Sequence, residues 1–208
     1  MARGAALVRG RVAHDTQLAG AALYALLPTS PAYLPGIVTT HERPALLLAA
    51  LGSGLFAGVF EETGWTGFAI PLLRARHGAL ATGLIAGGLW GAWHYIAAAW
   101  GSGSDSRAFL PMLFLAQMTF YIVVLPAYRV LMIWVHDAAN SLLVAVLMHA
   151  SLTANVLFVL MPRTIAPLQL VYWYLAFGGG LWAWVALGYG STVHPPIFTT
   201  RRSGTLRK

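Results

Sequence analysis

Polar residues are sparse along this chain, and the gaps between them set its elements. Residues 44–60 carry no formal charge and lead into the adjacent Glu61 and Glu62. If the carboxylates are tolerated, the apolar pattern continues through Gly64 and Phe68 to Ile70. Pro71 is expected to end that helix, because proline lacks an N–H and its ring clashes with the preceding turn. Residues 79–100 contain His94 as their one charged or imidazole group, residues 108–134 contain Arg129, residues 138–162 contain His149, and residues 164–193 contain none. About 20 apolar residues cross a bilayer as a helix, so these runs predict five spans. Residues 18–38 are a sixth, uncharged but interrupted by Pro28, Pro31 and Pro35, and so broken or re-entrant. In the last run Tyr172, Trp173, Trp182, Trp184 and Tyr189 suit an interfacial belt. Gly178-Gly179-Gly180 suits close helix packing or a bend. The expected fold is an all-α polytopic transmembrane helical bundle. It has a basic N-terminal segment with the possible broken span (1–43), the bundle (44–193) and a basic tail (194–208), with no internal repeat.

Composition moves the solvent from water to lipid. Only 9% of the 208 residues are charged and 58% are hydrophobic, against about 25% charged in a soluble domain. The net charge of +7 sits mostly at the ends and in short connections, where membrane proteins carry it, and does not point to nucleic acid. With six spans, Arg3, Arg9, Arg11, Arg74, Arg76, Arg129, Arg201, Arg202, Arg207 and Lys208 fall on one side. Arg43, Arg107 and Arg163 fall on the other. That asymmetry places both termini in the cytoplasm of a multi-pass cell-membrane protein; with five spans it largely vanishes. Residues 1–17, with Arg3, Arg9, Arg11, His14 and Asp15, do not read as a signal peptide. The absence of cysteine excludes disulfides, thiolate nucleophiles and cysteine-ligated metals.

Ionisable groups at membrane depth are costly and are functional candidates by default. Of the six acidic residues, Asp15, Glu42, Asp105 and Asp137 sit in connections, whereas Glu61 and Glu62 lie in an apolar context. If the helix ends near Pro71, Glu61 lies about 15 Å from that face. His149, counted from residue 138 on the same face, lies about 16 Å in, and His94 about 24 Å. Glu61 and His149 are therefore expected at one depth, with His94 a less good fit. Each residue also has a structural reading. A lone histidine can serve helix packing, and the glutamates can pair with a buried arginine, for which Arg129 is the nearest candidate. As chemistry, the set suits a glutamate general base activating water or a His/His/Glu metal site. The zinc-protease spacing of two histidines four apart is absent. Intramembrane Glu and His also serve proton-coupled transport, which the small size and lack of inverted repeats disfavour.

Three segments carry a resemblance. EETGWTGF (61–68), LWGAWHY (89–95) and SLLVAVLMHASLTAN (141–155) together resemble the CPBP family. These are CAAX prenyl proteases and bacteriocin-processing intramembrane glutamic endopeptidases, also called Abi or Rce1-like. The family's Glu-Glu-x-x-x-Arg matches at Glu61 and Glu62, with Thr66 in place of Arg. An aromatic followed four residues later by His matches at Trp90 and His94. His-x-x-x-Asn/Asp matches at His149, with Thr153 at the last position and Asn155 two residues beyond it.

The resemblance implies an endopeptidase without a cofactor or catalytic metal, cleaving C-terminal or leader-type peptides, prenylated ones among them. Glu61, with His94, would activate water. His149 and Thr153 would stabilise the oxyanion, and Glu62 would orient the site. Without Arg at 66, the cation that holds a carboxylate ionised is missing, and Thr153 offers one hydroxyl where an amide is expected. These departures make a non-catalytic scaffold, immunity or regulatory protein of the same fold the alternative. Lipid and a peptide or protein substrate are the expected partners, and the oligomeric state is not specified by the sequence.

Overall fold

The computed structural model describes residues 34–101, 110–162 and 165–190. All described elements are helical. A single turn, α1 (Gly36–Thr39), precedes α2 (Arg43–Arg74). Then come α3 (Ala79–Trp93), α4 (Tyr95–Gly101), α5 (Pro111–Ala139), α6 (Leu142–Val159) and α7 (Pro167–Gly190). Four of these, α2, α5, α6 and α7, are long and apolar enough to cross a membrane. The outward faces agree with lipid as solvent: Leu48, Phe56, Phe60, Phe68, Ile122 and Leu143 are all exposed, where water would oppose so continuous an apolar surface. This is an all-α polytopic membrane bundle.

One expected span is corrected here. The segment 79–100 is helical but broken at His94, so α3 and α4 are 15 and 7 residues long rather than one span. Of the proposed span at 18–38, residues 18–33 lie outside the described residues. So do Arg3, Arg9, Arg11, Arg107, Arg163 and the basic tail.

Pro71 does not end α2, which continues to Arg74. A π turn, Trp65–Ala69, precedes it, and Ile70 N–H bonds the Trp65 carbonyl five residues back. A π turn widens the helix by one residue, so the ring of Pro71 avoids the carbonyl that an α-turn would drive into it. The same device recurs in α5, where the π turn Phe120–Val124 precedes Pro126. A third π turn, Thr153–Val159, closes α6 just before Pro162.

The buried face of α2 is a stripe at four-residue spacing: Leu46, Ala50, Gly54, Gly58, Glu62, Thr66 and Ile70. Its small members let α2 meet α6 backbone to backbone. A Cβ built on Gly54 would lie 2.6 Å from the Ala150 carbonyl oxygen, and one on Gly58 2.7 Å from that of Val146. Such small-residue rows drive helix association in lipid, where apolar burial alone supplies no preference. The two polar members of the stripe, Glu62 and Thr66, are thereby carried into the protein interior.

At the centre stands α5. Residues 124–130 are buried on every side, as expected of a helix surrounded by others. Its flank receives α3, whose Gly87 backs onto Pro126 and the Arg129 Cβ. Arg129, counted above among the cytoplasmic charges, is fully buried here. Arg74 and Asp137 form an ion pair of 2.9 Å between the ends of α2 and α5, which puts those two ends on one face. In α7 Tyr172 and Trp184 are exposed on the outer surface. Trp173 is buried in the core, and Trp182 donates to the Val123 carbonyl at 3.0 Å. The side chain of Tyr189 lies outside the description. Gly178 packs against Val123, and α7 continues through all three glycines without a break.

The contact between α2 and α6 makes a sharp distinction among glycines. Gly54→Ala and Gly58→Ala are each expected to destabilise the protein by about 1–3 kcal/mol through overpacking. Gly52→Ala, with open space at that position, should leave stability unchanged or slightly raised. Unfolding midpoints in detergent check this.

Candidate active site

Adjacent residues on a helix point about 100° apart, so Glu61 and Glu62 enter different surroundings. Glu62, on the buried stripe, has no exposure. Its Oε2 accepts from Arg129 Nη1 at 2.7 Å and from the Thr66 hydroxyl one turn on. Its Oε1 lies 2.7 Å from His149 Nδ1. Three helices thus converge on one carboxylate. Glu61 lies on the flank and is partly open. Its Oε2 accepts from the Trp90 indole N–H at 2.6 Å, and its Oε1 lies 4.0 Å from His94 Nε2. The side chains of Glu61 and His94 keep about a fifth of their surface accessible.

The expected group therefore forms as two neighbouring pairs. His149 meets Glu62 and not Glu61, although depth had paired it with Glu61. α6 begins at Leu142, so His149 is seven residues in rather than eleven. Side chains lean toward the N-terminus of their own helix, and in the antiparallel pair α2/α6 Glu62 and His149 lean toward each other. His94 suits Glu61 better than its depth had suggested. Because α2 runs to Arg74 and α3 starts at Ala79, Glu61 lies about 20 Å and His94 about 22 Å from that end.

The tautomers follow from the partners. His94 Nδ1 lies 2.8 Å from the Trp90 carbonyl oxygen, which only accepts, so Nδ1 carries the proton and a neutral ring presents a lone pair at Nε2. The ring of Tyr121 stacks on His94 with centroids 4.8 Å apart. His149 Nδ1 donates to the Glu62 carboxylate, which leaves its Nε2 as the nitrogen not engaged with Glu62. Tyr128 donates to the Met148 carbonyl at 2.8 Å, fixing α6 beside α5 one residue before His149.

Arg129 was read from the sequence as a cytoplasmic charge or a structural partner of the glutamates, and it has a larger place in the site. It supplies the buried cation whose absence at position 66 stood out, from α5 instead of α2. Its guanidinium lies over the Trp90 ring, 4.1 Å from the centroid, and 5.9 Å from that of Trp65. The indole faces stand where its buried Nε and Nη2 find no hydrogen-bond acceptor. The signal that could have found it is one arginine in the otherwise uncharged run 108–134. Thr66 contributes a hydroxyl to the same carboxylate oxygen. Thr153 is half-buried and opens the π turn one turn beyond His149. Asn155 turns away, its amide donating to the Ser151 carbonyl at 2.9 Å. Tyr121 was also missed, since an aromatic in an apolar run carries no signal of its own. Among the described residues, no three His, Asp or Glu side chains come together as a metal-ligand set.

Residues 43–155, more than half of the chain, match the family model described as Type II CAAX prenyl endopeptidase Rce1-like. The matched stretch contains Glu61, Glu62, Trp90, His94, Arg129 and His149. No curated protein and no solved structure matches the chain.

The ion pair should behave as a buried pair does. Arg129→Met strands a buried carboxylate and is expected to cost about 3–5 kcal/mol. The double variant Glu62→Met/Arg129→Met removes both charges and should recover part of that loss. Denaturation midpoints of the two purified variants check the sign of the difference.

Proposed function

The chain belongs to the Rce1-like family of type II CAAX prenyl endopeptidases, and on that footing we propose an intramembrane endopeptidase in which Glu61 activates the attacking water. The family is one of proteases. The metal-independent mechanism and the residue roles are our reading. The observation that carries it is the facing of Glu61 Oε1 and His94 Nε2 across 4.0 Å at a partly accessible position. That gap exceeds a direct hydrogen bond and suits a bridging water. Both groups accept, so one water donates a proton to each and keeps an oxygen lone pair for a peptide carbonyl. As the C–O bond forms, Glu61 takes the proton and can return it to the leaving amine.

His149 supports the negative oxygen of the tetrahedral intermediate only when protonated, since its Nδ1–H is spent on Glu62. The pair Glu62–Arg129 then leaves one net positive charge beside that oxygen. The Thr153 hydroxyl is a second donor on the same helix. Substrates in this reading are C-terminal or leader-type peptides, prenylated ones included, reached from the membrane. If α3 and α4 cross together and the segment 18–38 also crosses, the positive-inside count without Arg129 is nine against three, which favours cytoplasmic termini in a cell membrane.

A second reading keeps the fold without the chemistry, as a scaffold, immunity or regulatory protein. The observation on its side is Asn155, whose amide is committed to Ser151.

One comparison separates them. Purified protein is tested against a fluorogenic prenylated peptide with a Cys-aliphatic-aliphatic-any terminus and a panel of unmodified leader-type peptides. Wild type should cleave at least one of them. Glu61→Gln should lower kcat about 10²–10⁴-fold with folding intact, and a metal chelator should leave the rate unchanged. Equal cleavage by both proteins, or loss with chelator that added zinc restores, overturns the mechanism. No cleavage of any peptide, with a bound partner retained by Glu61→Gln, favours the scaffold.

A further inference from the structure

The two pairs of the site, Glu62–His149 and Glu61–His94, are joined by one side chain. Trp90 is almost fully buried. One face of its indole carries the Arg129 guanidinium at 4.1 Å. Its ring lies against His149, with centroids 4.9 Å apart. Its N–H donates to Glu61 Oε2 at 2.6 Å, and its backbone carbonyl receives His94 Nδ1–H at 2.8 Å. Among the described residues it touches Arg129 and all three of the residues given catalytic roles above.

The last two contacts depend on the break in the helix. At His94 the backbone N–H reaches the Trp90 carbonyl only at 3.4 Å and leans to Gly91 at 3.2 Å. The loosened carbonyl takes the His94 ring instead. A side chain inserted into the helical ladder in this way is a recognised cause of a kink, and α3 ends there. Gly91, which faces the Tyr121 carbonyl with no room for a Cβ, holds this end of α3 against α5.

We infer that Trp90 is the positioning residue of the hydrolytic pair. It fixes both partners at once, through its N–H on Glu61 and its carbonyl on His94. An indole N–H donates and cannot accept. It therefore occupies Oε2 and turns Oε1 toward His94. The carbonyl holds the proton on Nδ1 and turns the lone pair of Nε2 toward Glu61. Without the N–H, the Glu61 carboxylate is free to rotate about its last bond, and the two acceptors no longer face one point. The ring is held by the buried Arg129, so the geometry of the open pair is referred to the rigid interior. This inference rests on the hydrolytic reading for its consequence in rate, though not for its geometry.

Trp90→Phe tests it, because phenylalanine keeps an aromatic face for Arg129 and His149 and keeps the backbone carbonyl, while the N–H is lost together with part of the ring. With the peptide that wild type cleaves, kcat should fall about 10- to 100-fold, the range for losing a hydrogen bond to a charged group. KM should stay within about twofold of wild type. A second measurement needs neither activity nor that variant. In a ¹⁵N–¹H spectrum of the full chain in detergent, the Trp90 indole resonance, assigned through its contacts to His94 and His149, should move upfield in Glu61→Gln. The other indole resonances should stay in place. A Trp90→Phe protein with wild-type kcat, or a Trp90 resonance unmoved by Glu61→Gln, overturns the inference. If wild type cleaves no peptide, the hydrolytic reading falls, and the resonance alone decides whether Trp90 holds Glu61.

Discussion

The structure turns on a carboxylate and a guanidinium that meet where neither has water. Glu62 and Arg129 are both fully buried, 2.7 Å apart, on helices 67 residues apart in sequence. Removing either charge alone leaves the other uncompensated, which is why such pairs are fragile to single substitutions even when their net contribution is small. In lipid the constraint is stricter, since no solvent waits outside to receive a stranded charge. The small-residue row of α2 seats α6, with His149, beside Glu62, and the glycines of α3 seat Trp90 beside Arg129.

From that fixed point the site is built outward. Glu62 is held by Arg129, Thr66 and His149, and Trp90 lies on Arg129 and reaches Glu61 and His94. Two identical side chains, adjacent in sequence, thus acquire opposite characters. One is an interior anchor with its oxygens occupied. The other is partly accessible, with one oxygen held and one directed at an imidazole lone pair. A hydrolytic site needs both, a rigid frame and a group free to exchange a proton.

Much of this was legible in the sequence. A charge-poor chain with single polar groups in long apolar runs can be little else than a helical membrane bundle, and the groups that interrupt the runs are those that gather. What the sequence hid was local geometry. Pro71 reads as a stop because a one-dimensional pattern cannot show a π turn, and that error shortened α2 and misplaced Glu61 relative to His94. Arg129 reads as a topological charge or a mere partner because its helix number and depth do not reveal that Gly87 makes room beside it. Trp90 reads as half of a spacing motif, while its indole N–H and its carbonyl matter only once a kink at His94 exists. Thr66 reads as a missing arginine, although the cation arrives on the same oxygen from α5.

Glu61 and His94 face each other across 4.0 Å, the span of one water, with Trp90 holding Glu61 from the buried side. A high-resolution structure of the wild-type protein in a lipid nanodisc tests it directly. One ordered solvent molecule is expected within hydrogen-bond distance of both Glu61 Oε1 and His94 Nε2, with the Trp90 indole on Oε2. A Glu61 carboxylate swung away from Trp90, or a dry direct contact between Glu61 and His94, would contradict it.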